Sequence, residues 1–131
     1  MNEQQHHHHH HHESLIDEIL KEYKDILKNS DQGVYIFLDD NHKVCNEKFA
    51  SLLGYESATD WAGVKESFPV AFVAEESQDA LVTAYQEAME QCKGSKIKVS
   101  WKKKTGSTVN TEVILVPVSY HGHLFALHFV S

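Results

Sequence analysis

At 131 residues, with 19 acidic against 12 basic side chains and a formal net charge of -7, the chain has the length of one domain. It lacks the basic face with which a nucleic-acid groove binder neutralises phosphates. No apolar run approaches the ~18 residues needed to cross a bilayer, no signal-peptide pattern precedes Glu13, and Cys45 and Cys92 form no CxxC pair, so they read as reduced, buried thiols of a cytoplasmic protein.

Residues 1–12 contain an unbroken histidine run over 6–12. They read as an expression tag, with a native metal-sequestering tract as the alternative, and are set apart from the fold. Setting them apart removes one carboxylate, Glu3, and moves the charge from -7 to -6. Residues 13–29 follow as an amphipathic helix. Ile16, Ile19, Tyr23 and Ile26 fall at alternating steps of three and four, and Leu20 and Leu27 widen the stripe. The same four residues satisfy a and d positions, so the stripe suits a homodimer seam or a contact with the domain's own sheet. Turn formers over 29–33 close this helix, and residues 30–131 make the domain proper.

Residues 34–38 form an apolar strand of the kind covered on both faces. Asp39, Asp40, Asn41 and His42 supply a turn, and 43–45 the return strand. Asn46 caps the next helix, Phe49, Leu52 and Leu53 give that helix its buried side, and Gly54 ends it. Ser57 caps a further short turn holding Trp61, which Gly63 breaks. A long helix over 75–92 follows, with Leu81, Ala84, Tyr85, Ala88, Met89 and Cys92 on its apolar side.

After Lys93 and Gly94 the period changes to two. Ile97, Val99 and Trp101 alternate with lysines and serine, which describes a half-exposed strand. Lys102, Lys103 and Lys104 precede Thr105 and Gly106 as a solvated hairpin tip. Strands over 108–119 and 124–130 complete the chain, joined at Tyr120, His121, Gly122 and His123. The order predicts an α+β fold: a five-stranded antiparallel sheet with helices on one face and an N-terminal amphipathic helix.

The stretch over 33–55, GVYIFLDDNHKVCNEKFASLLGY, carries a resemblance. Its Asp39–Asp40–Asn41 turn, Val44, Asn46, Phe49 and the Gly54–Tyr55 stop resemble the opening of a PAS domain. The long helix, the Thr105–Gly106 turn, the Glu112–Val113 strand with Pro117 and the Gly122 turn extend the likeness over nearly all of 30–131. Two departures stand out. His42 occupies a turn position where the family often has glycine, and the chain ends at Ser131, before the Asp-Ile-Thr type sequence that commonly follows. The resemblance implies a sensory or interaction module excised from a larger signalling protein, without catalytic activity and without nucleic-acid or membrane contact of its own.

The resemblance also frames the cofactors. Haem-binding relatives typically ligate iron through a histidine on the long helix, and 75–92 contains none. The light-sensing flavin subclass carries Asn-Cys-Arg on a short central helix, whereas 64–70 reads VKESFPV. Both cofactors are therefore disfavoured, non-covalent flavin stays open, and a thioester-linked chromophore has only the core-strand Cys45 near the N-terminus. What remains is an apolar cavity for a small ligand. Its expected lining is Ile36, Phe49, Leu53, Phe68, Phe72 and Leu81, together with Tyr85, Val99, Trp101, Val113, Leu115 and Leu127. Tyr85 and Trp101 would offer polar tips. The same side chains equally suit a core filled by itself, and both readings stay open here. His128 alternates with Ala126 and Val130 and reads foremost as a hydrogen-bonded structural histidine. His121 and His123 offer at most a weak metal clip, so no metal is expected. The rival class is a small isomerase- or hydratase-like α+β enzyme using a pocket carboxylate, for which Glu112 is the central-strand candidate.

Overall fold

The computed structural model describes residues 11–131. The expected tag over 1–12 lies outside the described residues except for His11 and His12, which open the first helix. The elements are α1 His11–Glu22, α2 Lys24–Asn29, β1 Gly33–Asp39, β2 His42–Cys45, α3 Glu47–Leu52, α4 Ala58–Ala62, α5 Phe68–Phe72, α6 Glu75–Gln91, β3 Ser95–Lys102, β4 Thr108–Tyr120 and β5 His123–Val130. The strands form one antiparallel sheet in the order β2-β1-β5-β4-β3. The last strand in the chain thus lies at its centre.

The sheet separates two apolar clusters. On one face, helices α3 to α6 bury Phe49, Leu53, Trp61, Phe72 and Leu81 against Tyr35, Val99, Trp101, Val113 and Leu115. On the other, α1 and α2 set Leu15, Ile19 and Leu27 on Val34, Ile36, Phe125 and Leu127. Helices therefore cover both faces, the N-terminal pair forming the second layer. This explains why β1 is apolar at every position from Val34 to Leu38. Along β4 the alternation is regular: Val113 and Leu115 are buried while Glu112, Ile114 and Val116 are exposed.

The single helix expected over 13–29 is two. At Tyr23 the backbone (φ -101°, ψ 17°) leaves the helical well, although the Tyr23 N–H still donates to Ile19 O at 2.9 Å and the Leu27 N–H to Tyr23 O at 3.0 Å. The Tyr23 ring stands edge-on to Phe125 and Tyr120, with centroids 5.7 and 6.2 Å apart. That contact holds the bend against the β4–β5 hairpin. The same packing corrects the expected seam. Ile16 and Ile19 are buried, Ile19 against the chain's own sheet, Tyr23 is half-buried, and only Ile26 of the four is exposed, as is Leu20.

Three local readings hold in detail. The Asn46 Oδ1 accepts from the Phe49 N–H, capping α3, and from the Val34 N–H, each at 3.0 Å, while its Nδ2 donates to Gln32 O at 2.9 Å. Helix α3 ends on Gly54 at φ 84°, where the Gly54 N–H reaches Ser51 O and the Tyr55 N–H reaches Ala50 O. This paired closure needs a left-handed residue that glycine adopts freely. Ser57 Oγ accepts from the Asp60 N–H at 3.0 Å and starts α4. Two other readings change. His42 begins β2 instead of standing in the turn, and its Nδ1 lies 2.8 Å from Asp39 Oδ1. Cys92 is the exposed left-handed residue (φ 52°) that terminates α6, so of the two cysteines only Cys45 is buried.

Candidate functional site

Because residue 35 of β1 pairs with residue 128 of β5, and 36 with 127, one step of the pleat sends Tyr35 and His128 toward α3–α6 and sends Ile36 and Leu127 toward α1–α2. A cavity of about 80 Å³ lies on the first side, lined by Tyr35, Phe37, Phe68, Pro69, Leu81, Val82, Tyr85 and His128. Tyr35, Phe68, Leu81 and His128 are buried, whereas Phe37, Pro69 and Tyr85 are half-buried and Val82 is exposed. The cavity therefore has a closed floor and a mouth between β1, α5 and α6.

Two polar anchors hold its walls. The Asp40 Oδ1 accepts from the Phe68 N–H at 2.9 Å, which starts α5 from the β1–β2 turn in place of an ordinary side-chain cap. Lys43, 3% exposed, donates through Nζ to the carbonyls of Asp40 and Val64 at 2.6 Å and of Ala62 at 3.3 Å. Its ammonium also lies over the Trp61 and Phe72 rings, 5.5 and 5.8 Å from their centroids. Burial lowers its pKa, with Asp40 acting in the opposite direction. All three ammonium donors are occupied, so Lys43 fastens the end of α4 to the turn.

At the floor, the His128 ring stacks on Tyr35 with centroids 4.0 Å apart and planes within 10°, and lies within 15° of the Tyr85 plane at 6.2 Å. His128 Nδ1 has no hydrogen-bond partner. Desolvation lowers the imidazole pKa to about 3, against smaller opposing effects of backbone hydrogen bonds at Tyr35 and Ala126, so the ring is neutral at physiological pH. Desolvation likewise raises Tyr35 and Tyr85 above the usual phenol range. The Tyr85 hydroxyl donates to Phe37 O across a long 3.4 Å.

Of the twelve expected lining residues, the structure places Phe68, Leu81 and Tyr85 at the cavity. Ile36 and Leu127 lie on the opposite face, beneath α1 and α2, because register puts them one step out of phase. Phe49, Leu53, Phe72, Val99, Trp101, Val113 and Leu115 belong to the close-packed core. The Trp101 tip is already occupied: Nε1 donates to Thr111 Oγ1 at 2.8 Å, and that hydroxyl donates to Val99 O. Tyr35, Phe37, Pro69 and Val82 were missed, and His128, expected as a structural histidine, is buried with backbone hydrogen bonds at Tyr35 and Ala126 acting on its ring. Glu112 lies on the outer face, 47% exposed and 3.5 Å from the Lys96 ammonium, and no carboxylate lines the cavity. Burial pushes the Cys45 thiol up to about 12, which leaves it protonated and a poor nucleophile. Among the described residues no three His, Cys, Asp or Glu side chains gather as metal ligands, and no helix is long and apolar enough to cross a membrane.

Neither a family model nor a curated protein sequence matches the chain. Solved structures do. The PAS domain of an HTR-like protein from Haloarcula marismortui superposes with a TM-score of 0.58 at 18% identity, over 91% of this chain and 95% of that one. The PAS domain of a Colwellia psychrerythraea protein gives 0.64 at 14%, over 86% and 95%. The PAS domain of nitrogen regulation protein NR(II) from Vibrio parahaemolyticus gives 0.58 at 18%, over 81% and 93%. The chain has the PAS fold.

Proposed function

We propose that this chain is a sensory module of a signalling protein, in which occupancy of the cavity under α5 and α6 is passed through the sheet to α1 and α2. One observation carries this reading. Adjacent residues of the same two central strands line the cavity on one face, Tyr35 and His128, and support the N-terminal helices on the other, Ile36 and Leu127. A shift of either strand therefore reaches both layers, since a close-packed sheet cannot absorb displacement locally. The crystal structures with this fold include a PAS domain from a two-component sensor histidine kinase. The module works without catalysis in this reading.

The proposal extends to a homodimer in a cytoplasmic setting, with the seam moved to Leu20 and Ile26, the two N-terminal aliphatic residues left exposed at 44% and 41%. A second reading, a pure interaction module, draws on the size of the cavity, which is well below the roughly 300 to 1,000 Å³ usual for ligand sites. Native mass spectrometry of the purified protein separates the two. A small molecule retained with the chain is the expected result; the mass of the bare chain alone would put the interaction module ahead.

A further inference from the structure

Strand β3 is an edge of the sheet, and the chain covers only half of it. Glu112 of β4 exchanges both backbone hydrogen bonds with Ser131, at 2.8 and 2.9 Å, so its N–H and C=O point away from β3. Lys98 stands opposite Glu112 and therefore turns its own N–H and C=O outward, as do Lys96 and Ser100, two residues to either side. At Ser100 the chain itself fills the edge. The Ala74 N–H donates to Ser100 O and the Ser100 N–H to Ser77 Oγ, each at 2.9 Å, beside the Val73–Trp101 bridge. Residues 73 and 74 thus begin a sixth, antiparallel strand, and the chain then leaves it for α6. The N–H and C=O groups of Lys98 and Lys96 have no partner among the described residues.

A groove of about 400 Å³ lies between this edge and α6, with Ile97 on the strand side and Asp79, Ala80, Thr83, Ala84 and Glu87 on the helix side. The alternation of β3 puts Ile97 toward the groove and Lys96 and Lys98, both exposed, on the opposite face. Charge then selects the occupant. A second copy pairing antiparallel through the same edge would set lysine against lysine, which is unfavourable across a strand pair. A strand with carboxylates on that face meets the reverse condition: Lys96 has Glu112 at 3.5 Å, and Lys98 has no ion pair among the described residues. On the groove side, Asp79 and Glu87 disfavour an acid, while Ile97, Ala80 and Ala84 suit an aliphatic side chain. We propose that the open edge of β3 takes up an extended segment of a partner protein as a continuation of the strand begun at residues 73 and 74. The segment alternates acidic and aliphatic residues, with its carboxylates beside Lys96 and Lys98 and its aliphatic side chain in the groove.

The peptide acetyl-Thr-Glu-Val-Glu-Thr-amide tests this, titrated into the intact chain while backbone NMR resonances are followed. Its two glutamates stand opposite Lys98 and Lys96, and each exchanges two backbone bonds with the lysine it faces. The expected result is a shift of the Lys96 and Lys98 amide signals together with those of Asp79 and Thr83. N-methylation of either glutamate removes an N–H that points at β3 and should weaken binding about tenfold, whereas N-methylation of the valine, whose N–H points away, should leave it unchanged. Acetyl-Thr-Lys-Val-Lys-Thr-amide should bind more weakly than the glutamate peptide to the parent, and Lys98→Glu should reverse that order. Equal losses from all three methylations would overturn strand addition, and equal binding of the two peptides would overturn the acidic class. No shift with either peptide at millimolar concentration would reduce the lysines to guards of an edge that stays unpaired and would overturn the proposal. Shifts of the same amides on concentrating the chain alone would assign the edge to a second copy and overturn the partner. The cavity takes no part in these readouts, so failure here leaves the sensory reading standing.

Discussion

Asn46 and His128 show how single side chains set the structure and its weak point. Asn46 was legible in the sequence because a cap sits at a fixed offset from the apolar run it starts, and the structure adds two bonds, to Val34 and Gln32, that no local pattern predicts. Asn46→Ala leaves the Val34 and Phe49 N–H groups without their acceptor in a buried setting, so it should lower unfolding stability by about 2–4 kcal/mol. Asn46→Asp, which keeps the acceptor, should lower it by less. Urea unfolding checks the ranking, and an alanine variant as stable as the parent would contradict it. His128 titrates in the opposite sense to a paired histidine. In the unfolded chain it takes up a proton below about 6.5, and in the folded chain only near 3. Between those values the unfolded state holds more protons, so the His128 contribution is complete above pH 6.5 and is lost as the pH falls toward 3. At pH 5 the loss is about 2 kcal/mol. Comparing urea midpoints at pH 7 and pH 5 should show a smaller acid penalty in His128→Phe than in the parent; equal penalties would refute the buried, neutral imidazole.

Among the elements, legibility followed how much polar contrast each strand retains. In β3 the lysines alternate with Ile97, Val99 and Trp101, and the buried side came out correctly. In β1 and β5 both faces are covered, so GVYIFLD and HLFALHFV carry no alternation from which to read phase. That is why Ile36 and Leu127 were expected at the cavity while Tyr35 and His128 stand there. The N-terminal stripe was legible as a stripe but not as to its partner, since a and d spacing is shared by a dimer seam and an intramolecular face. With Leu15, Ile19 and Leu27 committed to the sheet, deleting residues 13–29 would uncover Val34, Ile36, Phe125 and Leu127 and unfold or aggregate the domain instead of cleanly separating a dimer. The proposed seam calls for Leu20→Glu with Ile26→Glu. Sedimentation of this double variant should show monomer at concentrations where the parent is dimeric, with the fold intact; an unchanged dimer would remove the seam from these residues.

Across the whole molecule, the central claim is that the two layers flanking the sheet act as one mechanical unit through β1 and β5. The fold class was readable from element order alone, whereas the position of the cavity depended on register, which only the folded sheet settles. Hydrogen exchange of Leu81→Phe against the parent tests the claim most directly, because the added ring enters the space beside Leu81 and so imitates occupancy without a ligand. The account predicts altered protection of the β1, β5, α1 and α2 amides, with the β3–β4 turn at Lys103 and Gly106 unchanged. Altered exchange confined to α5, α6 and the cavity floor, with residues 13–29 identical in both proteins, would contradict it.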